Sequence, residues 1–351
     1  MAARPPAVAR VLERVVATAR RHALFEPGQL VIVAISGGPD STCLLHALHR
    51  VRRLLRIRVA AFHFDHRLRD DSPRDAAYAR RQADALGVPF VLRHAEDGPA
   101  AGQSVEAWAR LARYAAFTSA AIDAGADVAA LGHTQDDQAE TVLLGVVRGG
   151  GIDAVAGMAP RTGLPPLGFP AVRPLLDTTR QDALAFCRSL GLRPREDPTN
   201  RQLRFLRNRV RLKVLPQLER VVDRNLRVTL ARMAEHVRAD ADLLEELASE
   251  ASMETIVVGD DHIRLHAERL LAHPRPIAAR VVRHALRLAS AVAGGWDPDL
   301  GAAHVEGILG LAAGRPRRRL DLPGPLMAVR EKEYVALSSA SPGASASPRD
   351  R

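Results

Sequence analysis

Short apolar segments alternate with longer amphipathic segments over the first 190 residues of the chain. The apolar segments are rich in Val, Ile and Ala and predict strands, and the 3.6-residue periodicity between them predicts helices. Predicted strands span residues 30–35, 58–64, 89–93, 127–131 and 171–175, and predicted helices span 8–24, 40–54, 72–86, 103–124, 135–147 and 179–190. This alternation favours βαβ units and a doubly wound parallel sheet, so we expect an α/β fold for residues 1–200.

The pattern changes near residue 200. Residues 201–213 contain six basic residues and no acidic one, and a long helix is predicted over 215–251. A hairpin-like segment at 255–265 is followed by predicted helices at 275–293 and 302–313 and strands at 318–322 and 325–338. We therefore expect a basic segment with a linker helix (201–251), a smaller helical and mixed C-terminal domain (252–338) and a disordered tail rich in Ser, Ala and Pro (339–351).

Composition narrows the classes of function. The formal net charge is +10, with 50 basic against 40 acidic residues, and a chain this basic usually has a polyanionic partner. Codon bias explains why nearly all basic residues are arginine, but it does not explain their excess over acids. Cys43 and Cys187 form no C-x-x-C pair, which excludes a zinc ribbon or a four-thiolate cluster. The absence of a signal peptide and of a long apolar run predicts a cytoplasmic protein without a membrane span.

The first predicted strand runs into the string Ser-Gly-Gly-Pro-Asp-Ser at residues 36–41, where a helix begins. Backbone N–H groups at a helix start attract anions, and glycines let the backbone approach a phosphate closely. No lysine precedes Lys213, so a Walker loop is excluded. The string instead resembles the pyrophosphate loop of N-type ATP pyrophosphatases. The alternative is an ordinary strand-to-helix turn that contains two glycines.

Two further polar clusters follow predicted strands. Asp65, His66 and Arg69 come after the second strand. On the helix that starts near residue 135, Asp136 and Glu140 are four residues apart, and Asp137 and Glu140 are three apart. That spacing puts carboxylates on nearby faces, with His133 just before the helix. Acids in a first helical turn also stabilise the helix dipole, which is the alternative explanation. Because ligands bind beyond the carboxyl ends of parallel strands, we expect these clusters to meet.

These motifs, in this order, resemble the tRNA(Ile)-lysidine synthase family. The resemblance also rests on Arg113-Tyr114, Arg148-Gly149, Arg173-Pro174-Leu175, Glu196-Asp197-Pro-Thr-Asn200 and Arg207-Asn208-x-x-Arg211, and it covers about residues 28–230. It implies a catalytic domain similar to adenine nucleotide alpha hydrolases and a tRNA substrate-binding domain at residues 252–338. It also implies that ATP adenylates the C2 oxygen of cytidine 34 in the CAU anticodon of tRNA(Ile), after which the amino group of free lysine displaces AMP. Some members of the family are dimers, so the resemblance also raises the expectation of a homodimer.

The resemblance assigns roles to residues of this chain. ATP would be held by Ser36, Gly37, Gly38, Pro39, Asp40, Ser41, Asp65 and His66, and Mg²⁺ by Asp40 and Asp137. The catalytic set would be Asp40, Arg113, His133, Asp137 and Glu140, in which His133 and Glu140 position or deprotonate lysine and the cytidine. RNA contacts are expected from Arg69, Arg148, Arg173, Arg201, Arg204, Arg207 and Arg211. For Arg113 the alternative is a surface arginine, and for residues 201–213 it is a solvated linker.

The chain departs from the family pattern at Cys43, where a small or apolar residue is more usual, and at Gly145, where arginine is frequent. Three other functions are alternatives for a chain with these motifs. A tRNA thiolase of the kind most similar to this chain would carry C-x-x-C pairs, which Cys43 and Cys187 do not form. A small-molecule synthetase would need a glutaminase module or an ammonia channel, and the sequence shows no module with a nucleophilic cysteine. A catalytically dead binding module would have lost Asp40, Asp137 or Glu140, yet all three are present.

Overall fold

The computed structural model describes residues 5–67, 71–98, 105–165, 167–195, 202–293 and 301–339. The chain divides into two compact units, Met1–Arg238 and Ala239–Arg351. The division falls within the helix Leu226–Thr255 and so lies between the two domain boundaries expected near 200 and 252, which remain predictions. Among the described residues, no helix combines the length and the apolar character needed to span a bilayer.

The first unit is built on a six-stranded sheet. Its described strands are β1 (Leu30–Ala34), β2 (Arg58–Asp65), β3 (Phe90–His94), β4 (Val128–Ala130), β5 (Arg161–Leu164) and β6 (Phe169–Val172). Its described helices up to residue 189 are α1 (Pro6–Arg21), α2 (Pro39–Leu55), α3 (Ser72–Leu86), α4 (Val105–Asp123), α5 (Gln135–Val147), α6 (Ile152–Val155) and α7 (Arg180–Ser189).

The strand order is β3-β2-β1-β4-β6-β5, and every neighbouring pair except β5 and β6 is parallel. Strands β1 and β2 are buried along nearly their whole length, as expected for a sheet covered on both faces. One buried cluster includes residues of α1, α2 and α7, and another includes residues of α4. The predicted doubly wound α/β fold is therefore confirmed.

Two sequence predictions in the first unit are wrong. The fifth strand was expected at 171–175, but the chain forms the antiparallel hairpin of β5 and β6, which ends at Val172. The single helix expected over 215–251 is two helices, α9 (Leu215–Val222) and α10 (Leu226–Thr255). Asp223 has a φ of 47° at the break, a conformation that ends an α-helix. Before α9 lie a short helix α8 (Leu206–Arg209) and a π-helical turn (Val210–Val214).

The second unit contains an antiparallel sheet with helices. After residue 255 its described elements are β7 (Ile256–Val258), β8 (His262–His266), α11 (Ala267–Ala272), α12 (Arg275–Val292), α13 (Ala302–Ala313), β9 (Arg319–Asp321), β10 (Leu326–Arg330) and β11 (Tyr334–Ser339). The strand order is β7-β8-β11-β10-β9. The segment predicted as strand at 325–338 is thus the β10–β11 hairpin. The apolar faces of α12 and α13 share one buried cluster with the sheet.

Candidate active site

The loop between β1 and α2 is held by hydrogen bonds to the hydroxyl groups of its own serines. The Ser41 Oγ accepts from the backbone N–H of Ser36 at 3.1 Å and lies 3.0 Å from the Ser36 Oγ. Gly37 has a φ of 92°, a backbone conformation that is unfavourable for any residue with a side chain. Pro39 is the first residue of α2, where its missing N–H costs nothing. The loop therefore turns with its backbone at a helix N-terminus, the arrangement that binds phosphate groups.

A second loop packs directly against the first. Gly132 follows β4, and a Cβ at this position would lie 3.1 Å from both the N and the Cα of Ser41. Only glycine permits this approach without a shift of backbone, and the next residue is His133. The structure thus brings together the segments after β1 and β4, as their places at the carboxyl ends of parallel strands led us to expect.

Asp40 stands in the first turn of α2 with its two carboxylate oxygens in different surroundings. Oδ2 accepts from the Nε of Arg180 at 3.1 Å, whereas Oδ1 is buried and has no hydrogen-bond partner. Burial raises the pKa of Asp40 to about 6, although the charge of Arg180 opposes the rise. A buried oxygen without a donor is costly, so Oδ1 is suited to accept a ligand cation or donor.

Asp137 caps the helix on which it lies. Its Oδ2 accepts from both the N–H and the hydroxyl of Thr134 at 2.9 Å, and its Oδ1 accepts from Arg180 at 3.1 Å. Burial alone would raise the pKa of Asp137, but the charges of Arg180 and Arg207 and the N–H of Thr134 hold it well below its usual value. The capping explanation and the site explanation therefore both apply to this carboxylate.

Glu140 is one turn further along α5 and is 1 % exposed. Arg211 donates to both of its oxygens, at 2.6 and 2.9 Å, and the Nε of Arg207 donates at 2.8 Å. The same two arginines approach the Oδ1 of Asp137 at 3.2 and 3.4 Å. Arg180 completes the group, with its Nη1 3.7 Å from Glu140. We call this set of three carboxylates (Asp40, Asp137, Glu140) and three guanidiniums (Arg180, Arg207, Arg211) the charge cluster.

Arg180 joins all three carboxylates of the charge cluster and is not among the site residues predicted from the sequence. It is the first residue of α7, and its own backbone N–H donates to the Oδ2 of Asp136 at 2.7 Å. Thr179 caps α7 by accepting from the N–H of Asp182. The visible signal was this N-cap followed by an arginine, a position where a cation is unfavourable for the helix dipole and needs another reason to be present.

His133 and Arg173 form a buried pair beside the charge cluster. The Nε of Arg173 donates to the Nδ1 of His133 at 3.1 Å, and burial with the nearby Arg173 charge lowers the pKa of His133 to about 3. Arg173 is 8 % exposed, which differs from the surface contact with RNA expected from the sequence. The physical reason is its position directly after β6, at the inner end of the strand.

Asp65 lies at the end of β2, in a cavity of about 570 Å³. The cavity is lined by the end of β2 and the segment after it, and by residues of α3 and β3, among them Arg67, Arg80 and His94. Burial opposes the ionisation of Asp65, but the N–H of Arg67, at 2.9 Å, and the Ser72 hydroxyl lower its pKa. His66 packs edge-on against Phe64, with ring centroids 4.7 Å apart.

The remaining predicted residues lie at the surface or outside the described residues. Arg148 after α5 and Arg204 before α8 are exposed, and Arg204 stacks on Phe205. Arg113 on α4 is also exposed, but it lies close enough to His133 for its charge to lower the pKa of that ring. Arg69, Arg201 and the Glu196–Asn200 motif lie outside the described residues. Arg207 and Arg211 were expected on RNA phosphates, but their guanidiniums are within the charge cluster. On the same segment, Arg209 and Lys213 are exposed.

The two departures from the family pattern have structural explanations. A Cβ at Gly145 would meet the carbonyl oxygen of Ala154 at 2.5 Å, so α6 leaves no room for a larger residue. Cys43 is fully buried in α2, and burial raises its pKa well above the ordinary value. It is therefore a packing residue and not a reactive thiol.

A glycine-rich loop at a helix start, beside acidic residues at the edge of a parallel sheet, defines a nucleotide-binding protein of the PP-loop class. A model of the PP-loop domain matches residues 8–218. A similar α/β fold occurs in a U34-tRNA thiolase from Methanococcus maripaludis, at 16 % identity, a TM-score of 0.56 and coverage of 66 % of this chain and 80 % of that chain.

Sequence relatives specify the family further. A tRNA(Ile)-lysidine synthase from Thermobifida fusca is 37 % identical over 97 % of this chain and 100 % of the relative. One from Symbiobacterium thermophilum is 41 % identical over 85 % of this chain, which spans 62 % of that relative's length. The chain belongs to the tRNA(Ile)-lysidine synthase family, as the sequence resemblance indicated.

Proposed function

We propose that this chain uses ATP to attach free lysine to C2 of cytidine 34 in the CAU anticodon of tRNA(Ile). The two relatives are named as synthases of lysidine in tRNA(Ile), which supports this tRNA as the substrate. The main structural support for the proposal is that the charge cluster lies against the phosphate-binding loop. In the proposed reaction ATP adenylates the C2 oxygen and releases pyrophosphate. The lysine amine then forms the C2–N bond, the C2–O bond breaks, and AMP leaves. The product, lysidine, pairs with A and changes codon reading from AUG to AUA.

The loop at residues 36–41 is proposed to hold the phosphates of ATP. Ser36, Gly37, Gly38 and Ser41 contribute hydroxyl and N–H groups at the N-terminus of α2, and Pro39 sets the entry to the helix. The nucleoside is proposed to lie towards Asp65 and His66, since β2 is the parallel neighbour of β1 and the cavity opens at its end. Phosphoryl transfer needs positioning and charge stabilisation from such groups, with little covalent chemistry by the protein.

Asp40 fits a magnesium ion. Its Oδ1 is buried without a donor, and a carboxylate oxygen beside phosphates is the ligand that Mg²⁺ prefers. Both oxygens of Asp137 already accept hydrogen bonds, so its contribution requires that Arg180, Arg207 and Arg211 give up their contacts with Oδ1. The described residues contain no group of three His, Cys, Asp or Glu side chains that could hold a metal, so phosphate oxygens and water would complete the shell. When bound, the ion would neutralise charge on the phosphates.

Lysine is proposed to bind where guanidiniums now contact Asp137 and Glu140. The cationic groups of free lysine carry the same charge as Arg180, Arg207 and Arg211, so they can replace one of these partners at nearly constant net charge. A buried carboxylate requires such a partner, because an unpaired charge in this position is strongly unfavourable. Glu140 would thereby orient the amine, and His133 would lie beside the reacting groups.

The tRNA backbone is proposed to lie along the exposed face of the segment 202–214. Arg204, Arg209 and Lys213 are exposed there, whereas Arg207 and Arg211 face inward. Exposed Arg148 would extend the basic surface, and Arg113, whose charge acts on His133, is proposed to contact the α-phosphate or the base. Phosphate neutralisation dominates the affinity of proteins for nucleic acids, and sequence readout falls on the unstacked anticodon loop. Since tRNA, ATP and free lysine coexist in the cytoplasm, we place the activity there.

Release of AMP and pyrophosphate tests the proposal. We expect both products from ATP only when tRNA(Ile) with a CAU anticodon is present, with AMP release depending further on lysine. Asp40→Asn should abolish pyrophosphate release and leave tRNA binding nearly unchanged, because this carboxylate lies at the phosphates and away from the exposed basic face. Normal turnover by Asp40→Asn would refute the assignment of the loop.

A further inference from the structure

The hydrogen bond between Arg173 and His133 determines where the imidazole carries its proton. A guanidinium has five N–H donors and no acceptor, so the ring nitrogen that it contacts must be unprotonated. That nitrogen is Nδ1, at 3.1 Å from the Arg173 Nε. A neutral imidazole carries one N–H, and here it must be on Nε2. The Nε2 has no partner among the described residues, so its N–H is available to a ligand.

Hydrogen bonds to the backbone hold Arg173 in place, so its Nε stays directed at the Nδ1 of His133 and favours the Nε2–H tautomer. Its Nη1 donates to the carbonyl of Ala159 at 2.5 Å, and its backbone N–H donates to the carbonyl of Pro160 at 2.9 Å. Burial lowers the pKa of Arg173 to about 10, which leaves it protonated at neutral pH. It also lowers the pKa of His133 to about 3, which leaves that ring neutral.

We propose that Arg173 is a positioning residue that fixes His133 as an Nε2–H hydrogen-bond donor, and that His133 acts on a phosphate oxygen of ATP as a donor and not as a general base. This inference rests on the proposed function. The acceptor is placed on the phosphate side because Gly132, the residue before His133, packs against Ser41 of the phosphate-binding loop. A neutral imidazole donor stabilises charge that develops on the oxygen during transfer, without being consumed as an acid.

Side-chain replacements separate a donor from a base. The amide nitrogen of glutamine can occupy the place of Nε2, whereas that of asparagine approximates Nδ1, and neither amide can take a proton. We expect His133→Ala to slow pyrophosphate release, measured with tRNA and ATP but without lysine, by about 100-fold or more. His133→Gln should recover at least tenfold of this loss, and His133→Asn should not. If His133→Gln is as slow as His133→Ala, the donor role is wrong.

The tautomer itself can be measured without turnover. In protein labelled with ¹⁵N-histidine, nitrogen shifts and two-bond couplings identify which ring nitrogen of His133 carries hydrogen. We expect the Nε2–H form in the wild type and in Arg173→Lys, which keeps a donor, and a mixture of tautomers in Arg173→Met. Arg238→Met is the matched control, because this arginine donates to the carbonyl of Gly157 at 2.6 Å and should leave the tautomer unchanged. An Nδ1–H form in the wild type would overturn the proposal.

These two measurements also distinguish this inference from the proposed function. If the wild type released no pyrophosphate with any tRNA, the proposed function would fail while the tautomer assignment could still hold. If turnover were normal but the ring carried its proton on Nδ1, the proposed function would stand and the role of Arg173 would fall. A lower pyrophosphate release rate in Arg173→Met with an unchanged KM for ATP would further support positioning rather than binding.

Discussion

Replacement of Arg211 by methionine measures how strongly the charge cluster holds the first unit together. The guanidinium makes two bonds to Glu140, at 2.6 and 2.9 Å, and Glu140 is 1 % exposed. A hydrogen bond to a charged group contributes about 1.5 kcal/mol, so the two together are worth about 3 kcal/mol. We expect Arg211→Met to lower the free energy of unfolding by about this amount, because it leaves a buried carboxylate one partner short.

A double-mutant cycle isolates the pair. In a Glu140→Gln background the Arg211 guanidinium keeps only its contact with Asp137, at 3.2 Å, and the carboxylate that would lose two hydrogen bonds is gone, so Arg211→Met should cost only about 1 kcal/mol, which gives a coupling energy of about 2 kcal/mol. Arg209→Met is the matched control, since Arg209 is exposed on the same segment and its loss should stay within about 0.5 kcal/mol.

Urea unfolding followed by the fluorescence of Trp108 reports on the first unit, where this residue packs against the cluster containing α4. The chain has two tryptophans, so the series is made in a Trp296→Phe background. Equal losses for Arg211→Met and Arg209→Met, or a coupling energy near zero, would refute the arrangement of the charge cluster.

Three further predictions concern acid stability, loop packing and RNA binding. Burial lowers the pKa of His46 to about 4 from an unfolded value of about 6.5, so its share of stability is complete above pH 6.5 and falls by about 3 kcal/mol as the pH drops to 4. His46→Gln should flatten this loss in unfolding measured from pH 7 to 4.5, and an unchanged slope would contradict the assignment. Gly132→Ala should raise the KM for ATP because its Cβ would press on Ser41, whereas Gly310→Ala, in open space within α13, should leave it unchanged; equal KM values would be inconsistent with the close approach. Arg209→Ala with Lys213→Ala should weaken tRNA binding and lower the slope of log affinity against log salt by about 1 to 2, and filter binding with an unaltered slope would exclude contact by this face.

The sequence was sufficient for the parallel sheet and for the loop, because both depend on local patterns. Alternating apolar and amphipathic segments predicted β1 to β4, and the string after β1 predicted a phosphate-binding turn. The β5–β6 hairpin was not predicted because β5 reads Arg-Thr-Gly-Leu, which lacks an apolar run, and β5 is an edge strand that pairs only with β6 among the described strands. A short strand of this kind is stabilised by its neighbour rather than by its own composition.

The candidate site was only partly predictable, since pairing between distant side chains leaves no local signature. Arg207 and Arg211 lie in a basic run that suggested phosphate contacts, yet their four-residue spacing puts both on the inward face of one helical segment. Along the sequence, Arg180 is 40 residues or more from each of the three carboxylates, so only the fold brings it to them. Only the approach of α5, α7 and the segment after residue 205 reveals that these charges neutralise one another.

Transfer of radiolabelled lysine to unmodified tRNA(Ile) with a CAU anticodon, with ATP and Mg²⁺, tests the central claim most directly. The methionine tRNA shares that anticodon and is the control. The proposed function predicts lysine on the isoleucine tRNA alone, at one lysine per tRNA and one AMP released. Absence of labelled tRNA, or equal labelling of both tRNAs, would contradict it.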